Sequence, residues 1–313
     1  MLSMSEIEEK IKSCKWVRIA RQKAKLIILP GFEGVPLYDA IDLFVRGLFF
    51  GSLPQRASAI AFSFFLAIFP TILFFFTLIP FLGIKNLKED VLSLISDTIP
   101  PSIYELIINL VKDIIERSQF GLLSFGFITA FIFATNGFQS IISAFNTSIH
   151  VKETRSFWQI QWISLVLLVL VSSIVIVAIG LIAFYEFFLN YFVDLGILNM
   201  NWVYYLIIVG HWIIQIALIL FTFSFIFYSA PHNKGSKYRL FSAGSIFSTI
   251  LFIISYLIFN YYALNFARYN ALYGSIGTLI LFMLWIYFNA FVLLIGFELN
   301  VAIKSGIVKS NIK

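Results

Sequence analysis

The chain has 313 residues, of which 60% are hydrophobic and 12% charged, with 37 Phe and a mean hydropathy of +0.93. Soluble domains carry about twice that charged fraction, so the composition excludes an ordinary water-exposed fold and points to an integral membrane protein. A net charge of +6 raises nucleic acid as a partner, and its distribution along the chain argues instead for membrane orientation.

Residues 1–56 form a charged head with nine Lys and Arg, followed by the first long apolar stretch. A head of that length is expected to be a cytoplasmic region rather than a cleaved signal peptide. The lone Cys14 provides neither an internal disulfide nor a thiolate cluster, and no metal or other cofactor is expected. Near the end of the head, Ile41, Phe44, Val45, Leu48 and Phe49 recur at helical spacing, while Asp39, Asp42 and Arg46 fill the remaining surface. This pattern predicts an amphipathic helix lying along the inner leaflet.

Six stretches then lack any Asp, Glu, Lys or Arg: 57–84, 118–151, 156–185, 195–233, 240–267 and 269–297. Each exceeds the roughly 20 residues a helix needs to cross a bilayer, and in lipid the backbone must satisfy its own hydrogen bonds. The predicted fold is therefore all-α: a polytopic membrane protein with a six-helix transmembrane domain over 57–303, amphipathic helices on both faces and a short cytoplasmic tail over 304–313. The second amphipathic element is the outer segment 86–118, broken at Pro100 and Pro101 and restarted by Ser102 and Glu105 as a capping box.

Alternate connecting segments, starting with the N-terminal one, hold 17 Lys and Arg against 5 on the opposite side, whereas acidic residues divide evenly. The basic side is expected to face the cytoplasm, with both termini there. That distribution accounts for the net charge through orientation and anionic lipid headgroups, so nucleic acid is not an expected partner.

The motifs of several chemistries are missing from the sequence. There is no G-x-x-x-x-G-K-[ST] phosphate cradle, no H-E-x-x-H and no G-x-S-x-G elbow, and His150, His211 and His232 sit in separate segments. The chain is read as not an enzyme.

Uncharged polar residues inside the apolar stretches are the informative ones, because each costs free energy in hydrocarbon until it finds a partner. The second span carries Asn136, Gln139, Ser140, Ser143 and Asn146 on one strip, with Thr135 and Thr147 beside it. Two readings stay open: hydrogen bonding between helices, or the lining of a polar cavity. His211 and Gln215 in the fourth span form an i, i+4 pair, read as a structural pair before a proton relay. At the end of the fifth span, Tyr261, Asn265, Arg268 and Tyr269 share a face, either as an interfacial belt or as an outer mouth that meets an anionic headgroup. Glu298 ends the sixth span; pairing with Arg56 or Arg239 is the first choice for it, ahead of solvation or protonation.

Several of these segments resemble one family. Ala59 to Pro70 (AIAFSFFLAIFP), Phe138 to His150 (FQSIISAFNTSIH) and Tyr228 to Pro231 (YSAP) are similar to patterns in its first, second and fourth spans. Tyr273 and Gly274, through to Gly296, Phe297 and Glu298, resemble its closing Y-G...W-x-Y...G-x-E signature. The family is that of the YihY/BrkB membrane proteins, once grouped under the name ribonuclease BN, and the resemblance covers roughly residues 37–303. The chain departs from it at His150 and Val151 and at Phe252, Ile253 and Ser255, where the family's Trp-Glu and Lys are absent, so no role of those charged residues carries over.

The resemblance implies a six-span bacterial inner-membrane protein. The expected function is that of a transporter or flippase for an amphipathic, anionic, lipid-like envelope molecule whose headgroup follows the polar strip. The alternative is a non-transporting scaffold or regulator of envelope assembly. Expected partners are membrane lipids, together with a second copy of the chain or a periplasmic envelope protein.

Overall fold

The computed structural model describes residues 31–78, 120–148, 154–194, 201–232, 241–264 and 275–311, with Lys25, 27–29 and Phe81. These residues form seven α-helices and, among the described residues, no strand. In chain order they are α1 (Leu37–Phe50), α2 (Leu53–Leu78), α3 (Phe120–Asn146), α4 (Phe157–Asp194), α5 (Asn201–Ser229), α6 (Ala243–Leu264) and α7 (Ser275–Asn311). The last six are each long and apolar enough to cross a bilayer.

The six spans match the six charge-free stretches, but three run past them: α2 begins at Leu53 and takes in Arg56, ahead of the stretch from 57. The third stretch stops before Glu186, yet α4 continues to Asp194; the sixth stops before Glu298, yet α7 continues to Asn311 and takes in most of the tail expected from 304. A helix satisfies its own backbone whatever its side chains are, so a charged residue marks the edge of the apolar zone and not the end of the helix.

Each span packs against the next, α2 on α3 through to α6 on α7, and α7 returns to α2, so the six helices close into a ring. The buried side chains gather in the half of the ring nearest α1. Leu53, Ala57 and Ile60 meet Phe138, Ile142, Phe145, Leu167, Phe223, Phe227, Leu294 and Phe297 there. The Phe145 and Phe297 rings stack with centroids 3.9 Å apart, and Phe227 leans on both. Aromatic pairs of this kind add to the stabilisation that burial itself supplies.

Helix α1 divides the predicted apolar stripe, packing Leu48 on the main core and Phe44 against Phe247 of α6, and buries a further face. Ala40, Leu43 and Gly47 are buried, and Ile303, Leu299 and Ile307 of α7 join Ala40 in a small second core. Ile41, Val45 and Phe49 point away from the protein on a separate face, and Arg46 and Asp42 pair on the polar side at 3.1 Å. An exposed apolar stripe beside a charged one is the signature of a helix lying in a membrane interface.

At the start of α6, Ser242 and Ser245 cap reciprocally: Ser245 N donates to Ser242 Oγ and Ser242 N to Ser245 Oγ, both at 3.1 Å. Asn300 of α7 completes the cap, its Oδ1 accepting from Gly244 N at 2.8 Å and its Nδ2 donating to Ser242 Oγ at 3.1 Å. The two helices approach so closely here that a Cβ on Gly296 would collide with Ser248 Oγ, and one on Gly244 with the Gly296 carbonyl oxygen.

Candidate functional site: a polar seam and a buried ion pair

The polar strip of α3 divides over three directions. Phe138, Ile142 and Phe145 point into the ring. On the opposite side of the helix, Asn136 and Ser143 are exposed and face out of the protein. Ser140 turns toward α2, where its Oγ lies 2.6 Å from Ser63 Oγ. Gln139 turns toward α4, and its Nε2 donates to Gln161 Oε1; Asn146, two turns further along, is half-buried on that same side.

Gln139, Ser143, Asn136 and Asn146 thus flank the line where α3 meets α4, with Gln161 added from α4. Hydrogen bonding between helices is seen for Gln139 and Ser140, whereas Asn136 and Ser143 are exposed on the outer surface and, among the described residues, line no enclosed cavity. The strip does not line the centre of the ring, which phenylalanines and aliphatic residues fill. From Asn146 to Asn136 it rises about 15 Å along the helix, roughly half the thickness of a bilayer's hydrocarbon.

Gln161 was missed in the sequence reading. The signal was present, since Gln161 is an uncharged amide inside a charge-free stretch. Gln139 lies seven residues before the end of α3 and Gln161 four after the start of α4, so antiparallel packing of the two helices brings them within hydrogen-bond reach.

His211 and Gln215 lie on α5, on the side that faces α4. His211 stacks on Tyr185 of α4 with centroids 4.2 Å apart. Gln215 Nε2 is buried and has no hydrogen-bond partner among the described residues. The structure therefore brings His211 to an aromatic ring and leaves it apart from the strip on α3. Tyr261 and Tyr262, at the far end of α6, are exposed. Asn265, Arg268 and Tyr269 lie outside the described residues, as do Cys14, Arg239, Tyr273 and the outer segment 86–118.

Glu298 is paired, and its partner is Arg56. Arg56 Nη1 donates to Glu298 Oε1 at 2.6 Å and to the Gly51 carbonyl oxygen at 3.1 Å, and Ser148 Oγ donates to Glu298 Oε2 at 3.0 Å. Both charges are sealed in, with Glu298 2% and Arg56 6% exposed. Gly47 rests on the pair: a Cβ there would lie 2.8 Å from Glu298 Oε2. One carboxylate thereby holds together α7, α2, the residues just past α3, and the end of α1.

A different set of bonds ties α4 to α5. Arg155 Nη2 donates to the Ala230 carbonyl oxygen at 2.8 Å, satisfying the end of α5, and Thr154 Oγ1 lies 2.9 Å from His232 Nε2. Among the described residues, no three His, Cys, Asp or Glu side chains come together in a way that could hold a metal ion.

Comparison with known proteins supplies the family. The profile of the family described as Virulence factor BrkB matches residues 46–311. A Bacillus subtilis protein named as ribonuclease-like, YfkH, is 31% identical over 252 residues, covering 79% of this chain and 88% of the relative. A UPF0761 membrane protein of Haemophilus influenzae is 24% identical over 79% of this chain and 88% of its own length. Another UPF0761 membrane protein, from Acinetobacter baylyi, is 24% identical over 80% of this chain and 58% of its own length. No solved structure matches. With a hydropathic six-span ring and a family profile that takes in most of its length, the chain is a membrane protein of the Virulence factor BrkB family.

Proposed function

We propose that this protein moves an amphipathic, anionic, lipid-like envelope molecule across the bilayer. The observation that carries the reading is the outward exposure of Asn136 and Ser143 beside the Gln139–Gln161 bond. A polar group turned toward hydrocarbon loses free energy unless something polar meets it. A lipid headgroup travelling along the α3–α4 seam would meet these side chains while its acyl tail stayed in the surrounding lipid, with no need for an aqueous channel through the ring.

On this reading the α1 end of the ring faces the cytoplasm, both termini lie there, and the membrane is a bacterial inner membrane. The support is the excess of Lys and Arg on the alternate segments that begin with the N-terminal one. The protein acts as a carrier and not as an enzyme, and its partners are membrane lipids rather than nucleic acid. A second copy of the chain or a periplasmic protein takes part in onward delivery. The ribonuclease-like name of the Bacillus relative does not bear on the seam.

The test is native mass spectrometry with lipidomics on protein in native nanodiscs, comparing the natural chain with Asn146→Leu and Arg268→Ala. Selective retention of one anionic lipid class, lost in either variant, is expected. Bulk lipid unchanged by both substitutions would favour the alternative, a scaffold for envelope assembly.

A further inference from the structure

We infer that the ring consists of a fixed body, α1 with α2, α3, α6 and α7, and a hinged hairpin, α4 with α5, whose outward swing opens the α3–α4 seam. The inference deepens the transport reading and rests on it for its purpose, though the motion itself is measured without any substrate.

The fixed body is joined by the costliest contacts in the molecule. Glu298 reaches α2 through Arg56 and the end of α3 through Ser148, and α1 rests on it through Gly47. Separating those elements strands two buried charges in a low-dielectric interior, which proteins resist strongly. Helix α6 is locked to α7 by the Gly244–Gly296 approach and by Asn300. The hairpin has its own internal ties: Arg155 to Ala230, Thr154 to His232, and Tyr185 on His211.

Contacts between the two groups are of another kind. The seam on the α3 side is crossed by the amide bond of Gln139 with Gln161, and near α1 by the rings of Phe227 against Phe145 and Phe297. On the α6 side Phe223 meets Phe252. A neutral amide bond between helices in lipid contributes little net stability, since each amide finds other partners when separated. Burial points the same way: in the most apolar stretch of each helix, 6% of residues are buried in α4 and in α5, against 17% to 28% in α2, α3, α6 and α7. The hairpin does contribute Leu167, Phe223, Ile226 and Phe227 to the core it shares with the fixed body, but these contacts are apolar and strand no charge when they part. The amides released from each other would be free to receive a headgroup.

Spin labels measure the motion directly. In a Cys14→Ser background in nanodiscs, one pair is placed across the seam at Ala59→Cys on α2 and Trp162→Cys on α4. A control pair is placed within the fixed body at Ala59→Cys and Ile246→Cys on α6. All three sites face outward, so labels are accommodated without repacking. Two resolved distance populations across the seam and a single narrow one in the control are expected; a single narrow population for both pairs would overturn the inference. As an independent check, Gln139→Cys with Gln161→Cys, oxidised to a disulfide, should merge the two seam populations into one, with reductant restoring them. Two populations that persist under the cross-link would equally overturn it. If the labels separate as expected but no lipid is moved, the hinge stands and the transport reading falls.

Discussion

Arg56 and Glu298 are separated by 242 positions in the chain, yet Nη1 and Oε1 lie 2.6 Å apart in a site that excludes water from both side chains. Arg56 Nε and Nη2 have no hydrogen-bond partner among the described residues, so Glu298 supplies the compensating charge for a guanidinium that is already under-satisfied. Removing one member of such a pair costs about 3–5 kcal/mol, because the other is left charged and buried. Glu298→Gln and Arg56→Gln are each expected to lower the thermal midpoint sharply in detergent, and the exchanged pair Arg56→Glu with Glu298→Arg to recover part of the loss. Equal, small shifts for the two single substitutions would mean that the pair does not hold the helices together.

Gly296 allows α6 and α7 to touch. Gly296→Ala drives a methyl into Ser248 Oγ and should destabilise by about 1–3 kcal/mol, the usual range for overpacking. Ser248→Ala removes the struck atom, so the double variant should be more stable than the sum of the single effects predicts. The thermal midpoints of the four proteins form the cycle that measures this coupling.

Sequence patterning makes the fold visible because hydrocarbon tolerates so few charges: the six uncharged stretches are the six spanning helices. Their ends are less legible, since nothing in the backbone stops a helix at Glu186 or Glu298. The ion pair was half legible. A carboxylate at the end of an apolar helix calls for a base, but only the packing of α7 on α2 chooses Arg56, and Arg239 lies outside the described residues. The polar strip was recognisable by its spacing, whereas its division among Ser63, Gln161 and the outer surface depends on which helices flank α3, and that is a tertiary fact. Gln161 went unnoticed because a single amide carries no periodicity.

Asn300 caps a helix to which it does not belong. Asn300→Ala removes an acceptor from Gly244 N and a donor to Ser242 Oγ, and the expected loss is about 1 kcal/mol, as for other cap deletions. Ser242 and Ser245 still cap each other in this variant, so the effect should be smaller than that of Glu298→Gln in the same thermal assay.

The two faces of α1 predict opposite environments for neighbouring labels. A nitroxide at Phe49→Cys should be relaxed by dissolved oxygen, which concentrates in lipid, and one at Arg46→Cys by a water-soluble nickel chelate. Similar nickel accessibility at both sites would show that α1 stands away from the membrane surface.

The most direct test of the central claim reconstitutes the protein in liposomes containing a headgroup-labelled anionic lipid and follows loss of the outer-leaflet signal on adding an impermeant quencher. The account predicts that the natural chain exposes label from both leaflets, whereas protein carrying Gln139→Leu and Asn146→Leu, folded and equally abundant, exposes only the outer half. Equal exposure by the natural and the doubly substituted protein would contradict it, because headgroups would then be crossing without the α3–α4 seam.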